Sequence, residues 1–261
     1  PSNYPTYHTR FFNSIYVDHD TVTKRSANKS KIKREYSYYY LLPDHLKHWM
    51  VTPYNYLETD TYASYTMRRI PYPDLAFLWT HQQINKTTFT KILDKLFEYF
   101  NNRPSKLIDQ STHQNLLHKT YIDKVDSRIS DLKFLPEYSQ INQQIRQLTH
   151  YNDIDEIVSF YKSLYRQILS WHSLPNTICI SHGDVCFSNL FYNAHLGTIQ
   201  MIDPRGALNE EELWIEPYYD IAKLSHSICG HYDFFNAGLY SIQFHREPHL
   251  SIQSQSGNAI D

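Results

Sequence analysis

Three polar side chains carry the chemistry this sequence suggests. Asp184 and Asn189 lie five residues apart in His182-Gly183-Asp184-Val185-Cys186-Phe187-Ser188-Asn189, and Asp203 closes the run Ile199-Gln200-Met201-Ile202. A carboxylate able to accept a proton, beside an amide oxygen and a second carboxylate able to hold a hard cation, is a donor set that Mg²⁺ accepts together with substrate phosphates. Phosphoryl transfer needs the same parts: a group that orients a hydroxyl, and a metal that neutralises phosphate charge. Taken singly, each residue is as readily a turn former, because Asp and Asn bond their own backbone.

The surrounding pattern supplies a way to bring the three together. Thr177 to Ile180 reads as a short apolar strand, Leu190 to Tyr192 as a second and Thr198 to Ile202 as a third, with a turn from Asn193 to Gly197. Strands joined so closely pair as a hairpin, which sets Asn189 at one end beside Asp203 at the other.

Upstream, Ser14 to Val17 and Thr21 to Lys24 read as two strands about the turn Asp18-His19-Asp20. Val22 and Lys24 share one face, since side chains alternate with period two. Val22 would then lie over a nucleotide base while Lys24 reaches phosphate oxygens; the alternative is a solvated edge-strand lysine. A helix over 29–42 follows, with Ile32, Tyr36 and Tyr39 or Tyr40 as its buried stripe. It carries Glu35, spaced for a helical ion pair with Lys31. Val51 to Tyr56 and Tyr62 to Ile70 read as further strands, and the prolines of Ile70-Pro71-Tyr72-Pro73 stiffen the chain at a lobe boundary.

Beyond that boundary the pattern is helical. Phe89, Ile92, Leu93, Leu96, Phe97 and Phe100 form one apolar stripe, capped by Asn85 or Thr87. Leu117, Tyr121, Val125, Ile129 and Leu132 form another, and Ile154 to Ile168 a third behind an Asp153 cap, with Leu164 and Ile168 in the core. After Asp203 come an acidic, exposed stretch from Glu210 to Glu216 and a helix from about Pro217, with Tyr218, Ile221, Ala222, Leu224, Ser225 and Ile228 inward. The aromatic stretch 1–12 fits no element, and 251–261 is polar and aperiodic.

Composition narrows the field. With 41% apolar residues and a formal charge of -2, the 261-residue chain reads as an ordinary globular protein with no basic excess for nucleic acid. Three cysteines without a CxxC pair give no disulfide framework, so a reducing cytoplasm is the expected home. Cys186, inside the polar loop, would act as a nucleophile only in an activating environment. No apolar run reaches the ~18 residues of a membrane span.

His182-Gly183-Asp184, Asn189 five positions on, and Ile202-Asp203 after a hairpin resemble the small-molecule kinases of the aminoglycoside phosphotransferase and choline kinase type. That resemblance implies an α+β, two-lobed protein kinase-like fold, with a small β-rich nucleotide-binding lobe over 1–70 and a larger helical catalytic and substrate lobe over 71–261. It implies an ATP- and Mg²⁺-dependent phosphotransferase acting on a hydroxyl of a sugar, amino alcohol or aminoglycoside, with GTP as the alternative nucleotide. By the same resemblance Asp184 is the catalytic residue, Asn189 and Asp203 hold the metal, and Lys24, paired with Glu35, holds nucleotide phosphates. Met67 would line the adenine pocket with Val22, and Asp220 in Tyr219-Asp220-Ile221-Ala222 would brace the catalytic loop.

Two departures stand beside it. No glycine precedes Gly183, so a glycine-rich phosphate loop is absent, and Asp203-Pro204-Arg205-Gly206 has one residue more before its glycine than the family's usual Asp-x-Gly. Cys186-Phe187-Ser188-Asn189 and Asp203-Pro204-Arg205-Gly206 look like bacterial relatives associated with cell-surface sugar synthesis. Arg205 would meet an anionic group or serve as a turn residue. A non-catalytic nucleotide-binding scaffold is the competing reading. A two-metal phosphoesterase stands further back, because it needs additional His and Asp ligands on other loops.

Overall fold

The structure, a computed structural model, describes residues 13–171, 174–244 and 248–253. The aromatic stretch 1–12 and the tail 254–261 lie outside the described residues. The fold is α+β. Contacts divide it into two compact units, one holding 13–105 with 179–241 and 251–253, the other holding 106–171 and 174–178 together with 242–244 and 248–250.

The first unit begins with a four-stranded antiparallel sheet of β1 (Asn13–Val17), β2 (Thr21–Ser26), β3 (Pro53–Glu58) and β4 (Ala63–Arg68), in the order β1-β2-β4-β3. β2 alternates as expected: Val22, Lys24 and Ser26 are buried. Helix α1 (Lys29–Leu41) follows, its first turn capped by Asn28, whose side chain accepts the Lys31 N–H. Its buried stripe is Ile32, Glu35 and Tyr38, not Ile32, Tyr36 and Tyr39 or Tyr40. The helix is rotated so that Glu35 meets Lys24 and the Tyr38 hydroxyl donates to the Ser181 carbonyl, leaving Tyr40 49% exposed. A buried ion pair has outweighed the apolar phase.

A single turn α2 (Asp44–Lys47), α3 (Leu75–Thr80) and the long α4 (Lys86–Asn102) come next, α4 capped by Asn85. Ile92, Leu96, Tyr99 and Phe100 of α4 are buried. Phe97, expected in the stripe, is 51% exposed, because the apolar arc is wider than the face its neighbours cover.

β5 (Ser105–Leu107) leads into the helices of the second unit, α5 (Gln110–His118), α6 (Lys124–Lys133), α7 (Tyr138–Leu148) and α8 (Ile154–Trp171). A π turn over Lys119–Asp123 joins α5 to α6 and moves the buried position from the expected Tyr121 to Ile122. On α8, Leu164 and Ile168 face solvent instead of the core.

β6 (Thr177–Ile180) has its predicted bounds, and β7 (Leu190–Asn193) pairs with β8 (Thr198–Met201) as the predicted hairpin, with Leu190 opposite Met201. β9 (Trp214–Ile215) pairs with β6, and α9 (Tyr218–Ile228), α10 (Tyr232–Asn236), β10 (Tyr240–Phe244) and β11 (Pro248–Ile252) complete the order. The buried positions of α9 are Tyr219, Asp220, Leu224 and Ser227; Tyr218 and Ile221, expected inward, are exposed. Glu216, expected exposed, is buried. As in α1, the phase is set by an acid, here Asp220.

Two attachments fix the hairpin to the sheet and α1. The Met201 N–H donates to Trp49 O at 2.7 Å, and the Val51 N–H donates to Met201 O at 3.0 Å. Past the hairpin, the Ala207 N–H donates to Arg34 O. Gly206, at φ +83°, lies so close to α1 that a β-carbon there would stand 2.6 Å from the Arg34 carbonyl carbon. Only glycine permits both that approach and that backbone conformation. No helix of the described residues is long and apolar enough to cross a membrane.

Candidate active site

β2 carries Lys24 to the centre of a buried cluster. Its Nζ lies 2.7 Å from Glu35 Oε2 on α1 and 2.9 Å from Asp203 Oδ1 just past β8, and its side chain is 2% exposed. Lys31 stands 3.7 Å from Glu35, so the local helical pair forms as well, more loosely. The Tyr65 hydroxyl also donates to Glu35 Oε2. Burial works against the charged lysine, but Asp203 and Glu35 outweigh it and raise the Lys24 pKa. Burial raises Glu35 against the pull of Lys24, whereas for Asp203 the attraction of Lys24 overcomes burial and lowers the carboxyl. The cluster is thus one fixed cation between two acids, and Asp203 remains 34% exposed.

Asp203 sits at φ +56°, in the left-handed region that Asp tolerates better than most residues. Bonds on both sides hold it there. The Ile202 N–H donates to Asn189 O at 3.0 Å, and the Arg205 N–H to His182 O at 2.9 Å. The first of these places Asn189 and Asp203 side by side across the hairpin end.

The loop between β6 and β7 is held from beneath by Asp220 of α9. Its Oδ1 accepts the Gly183 N–H at 2.7 Å and its Oδ2 the His182 N–H at 3.1 Å, while Arg103 Nη1 lies 3.0 Å from Oδ2. Arg103 also donates to Ser181 Oγ at 2.8 Å. Such a pair, wholly out of water, is held by complete hydrogen bonding. His182 is fully buried, and burial keeps it neutral by lowering its pKa despite the nearby acids. Its Nε2 carries the proton toward Ile202 O, so Nδ1 accepts the Asp184 N–H. Gly183, at φ +80°, turns the chain so that Asp184 emerges beside it.

Asp184 meets two partners. Asn189 Nδ2 donates to its carbonyl at 2.9 Å and its Oδ2 at 3.3 Å, which leaves Asn189 Oδ1 turned away from Asp184. Lys223 Nζ lies 2.9 Å from Asp184 Oδ1. Burial acts to lower the Lys223 pKa and Asp184 overcomes it, so that side chain is charged. Cys186 is buried, which pushes its thiol up to about 12 and keeps it protonated at neutral pH.

Val22 and Met67 are register partners between β2 and β4, and they pack in one apolar cluster with Phe191 and Ile202. A cleft beside this cluster is lined by Glu35, Tyr38, Tyr65, Met67, Ile202 and Asp203, among others. The structure brings Lys24, Glu35 and Asp203 into one cluster and Asn189, Asp184 and Lys223 into a second, the two linked by the backbone bond from Ile202 to Asn189; Met67 lines the pocket beside the first, whereas Val22 is wholly buried in the core. Arg103 and Lys223 were not found by sequence reasoning. Lys223 lies three residues after Asp220, one helical turn on, and that spacing was the available signal. Arg103 follows the end of α4 in no motif. Among the described residues, no group of three or more His, Cys, Asp and Glu side chains is arranged to hold a metal ion. No family model matches the chain, and a search of curated proteins finds no match.

Proposed function

We propose that this protein is a small-molecule kinase of the aminoglycoside phosphotransferase and choline kinase type, with a protein kinase-like arrangement of its first unit, moving the γ-phosphate of ATP to an alcohol. The observation that carries the reading is the Glu35–Lys24–Asp203 cluster, with Asn189, itself bonded to Asp184, set beside it by the bond from the Ile202 N–H to Asn189 O. It sets a fixed cation and two oxygen donors beside a carboxylate, Asp184, that is paired with Lys223, and these are the groups phosphoryl transfer uses.

Lys24, held by Glu35, would bind phosphate oxygens of the nucleotide. Met67, which lines the pocket, would meet its base, with the buried Val22 behind it. Asn189 and Asp203 fit a divalent cation on their own chemistry: the Asn189 amide nitrogen is committed to Asp184, leaving its oxygen as donor, and Asp203 gives one oxygen to Lys24 and keeps the other. Bound there, Mg²⁺ would neutralise phosphate charge. Asp184 would orient the acceptor hydroxyl and take its proton as the oxygen attacks. Asp220 and Arg103 hold the backbone of the loop that presents Asp184 and touch no reactant. A cytoplasmic location, where ATP is abundant, accompanies this reading.

The test is phosphate transfer from ATP with Mg²⁺ to a panel of sugars and amino alcohols. Asp184→Ala is expected to lower turnover by about 10²–10⁴-fold, the usual range for losing a general base, while nucleotide binding persists. Nucleotide binding without transfer by the wild-type protein would favour the non-catalytic scaffold instead.

A further inference from the structure

The charge around Asp184 bears on the acceptor. Lys223 reaches it from α9 at 2.9 Å with its side chain still 31% exposed, so part of the ammonium faces outward. Arg205 packs on the same loop. Its backbone N–H is fixed to His182 O, and its side chain packs so tightly on Gly183 that a β-carbon there would stand 2.5 Å from Arg205 Cβ. The Arg205 guanidinium is 5.8 Å from the ring centre of Tyr219, which sits one turn before Lys223 on α9. Arg205 is exposed and has no carboxylate partner among the described residues.

Most of the acids that would favour a cationic acceptor are engaged elsewhere, while Glu210 and Glu211 point to solvent as exposed residues. Glu212 lies 2.8 Å from Arg34 Nη1 and accepts the Leu208 N–H at 2.8 Å, and Glu216 is buried. Asp220 is held by Arg103, and Asp203 and Glu35 by Lys24. Lys223, on Asp184, and Arg205, packed on the adjoining Gly183, are the two cations next to this turn.

We infer that the acceptor is an alcohol carrying an acidic group, carboxylate or phosphate, that is held by Arg205 and Lys223 next to Asp184. This rests on the phosphotransfer reading. The acceptor oxygen bonds to the γ-phosphorus, the bond from that phosphorus to the bridging oxygen breaks, the electron pair leaves with ADP, and the hydroxyl proton passes to Asp184. Arg205 suits the anion because its planar fork pairs with carboxylate or phosphate through two bonds, and the same field repels a quaternary amine or a polycation.

The experiment uses four probes on one scaffold: glucose, glucuronate, glucose 6-phosphate and glucosamine. Their binding is measured by calorimetry on wild type, Arg205→Met and Lys223→Met, and transfer from ATP is measured in parallel. The two acids are expected to bind wild type about ten- to a hundredfold more tightly than glucose or glucosamine, as charge-assisted bonds provide, and Arg205→Met should remove most of that preference. Equal binding of all four, or no binding of either acid, overturns the proposal. Transfer that favours glucose or glucosamine overturns it while leaving phosphotransfer intact. An anion preference with transfer to no probe overturns phosphotransfer and the acceptor role with it, leaving only an anion site.

Discussion

Asp220 and Asp203 both pair with a buried cation, yet their surroundings differ in kind. Asp220 is fully buried and each of its oxygens is taken, one by the Gly183 N–H, the other by the His182 N–H and Arg103. Asp203 shares Lys24 with Glu35 and stays about a third exposed. The first arrangement is charge-balanced and closed, as a scaffold requires. The second holds one buried cation between two acids, with Lys31 more loosely placed 3.7 Å from Glu35, and opens to one side, which suits a site that admits a ligand.

Matched substitutions break the comparison most severely. Asp220→Asn is expected to cost about 3–5 kcal/mol of unfolding free energy, because it leaves Arg103 buried without its counter-charge. Asp203→Asn keeps the side-chain shape and the tolerance for φ +56°, and leaves the buried Lys24 paired with Glu35, so it should cost less than Asp220→Asn, about 1–2 kcal/mol. Urea denaturation of the two variants measures both. Equal losses would show that the Asp203 cluster is as structural as the Asp220 network.

A smaller effect is expected from Lys24→Met, about 2–3 kcal/mol, because Lys31 remains 3.7 Å from Glu35 and eases its isolation. Removing Glu35 as well, in Lys24→Met with Glu35→Leu, should recover most of the loss. A double-mutant cycle reads this directly, and additive losses would contradict the pairing.

A pH effect follows from two acids that have no cation partner among the described residues. Asp74 caps α3 by accepting the Phe77 N–H at 2.7 Å, and burial, with the charge of Asp233 adding, raises its pKa to about 7. Burial raises Asp233 to about 6. In both, the folded value lies above the unfolded one, so the folded state holds the extra proton between them. Stability from these groups therefore rises as pH falls from about 8 toward 5. Asp74→Asn keeps the cap and should flatten that rise by on the order of 1–3 kcal/mol, seen in denaturation at several pH values. An unchanged slope would mean Asp74 does not titrate in this window.

What the sequence made legible follows from what its patterns encode. Alternation and turn residues placed β6, β7 and β8 within a residue, and with them the adjacency of Asn189 and Asp203. Apolar periodicity located α1 and α9 but gave the wrong buried face for each, because the stripe there includes a charged residue, Glu35 or Asp220, whose partner lies on another element. Lys223 and Arg103 escaped for the same reason: 39 residues separate Lys223 from Asp184 and 117 separate Arg103 from Asp220, and no local pattern records such a meeting. Periodicity sees burial of apolar surface, not the compensation of buried charge.

The most direct measurement is calorimetric titration of ATP into wild type and Asp203→Asn, each with Mg²⁺ and with EDTA. Wild type is expected to bind ATP at least about tenfold more tightly with Mg²⁺, and Asp203→Asn, still folded, to lose that difference. ATP affinity that ignores Mg²⁺ in the wild-type protein, or a Mg²⁺ dependence that survives in Asp203→Asn, would contradict the assignment of this open cluster as a metal-nucleotide site.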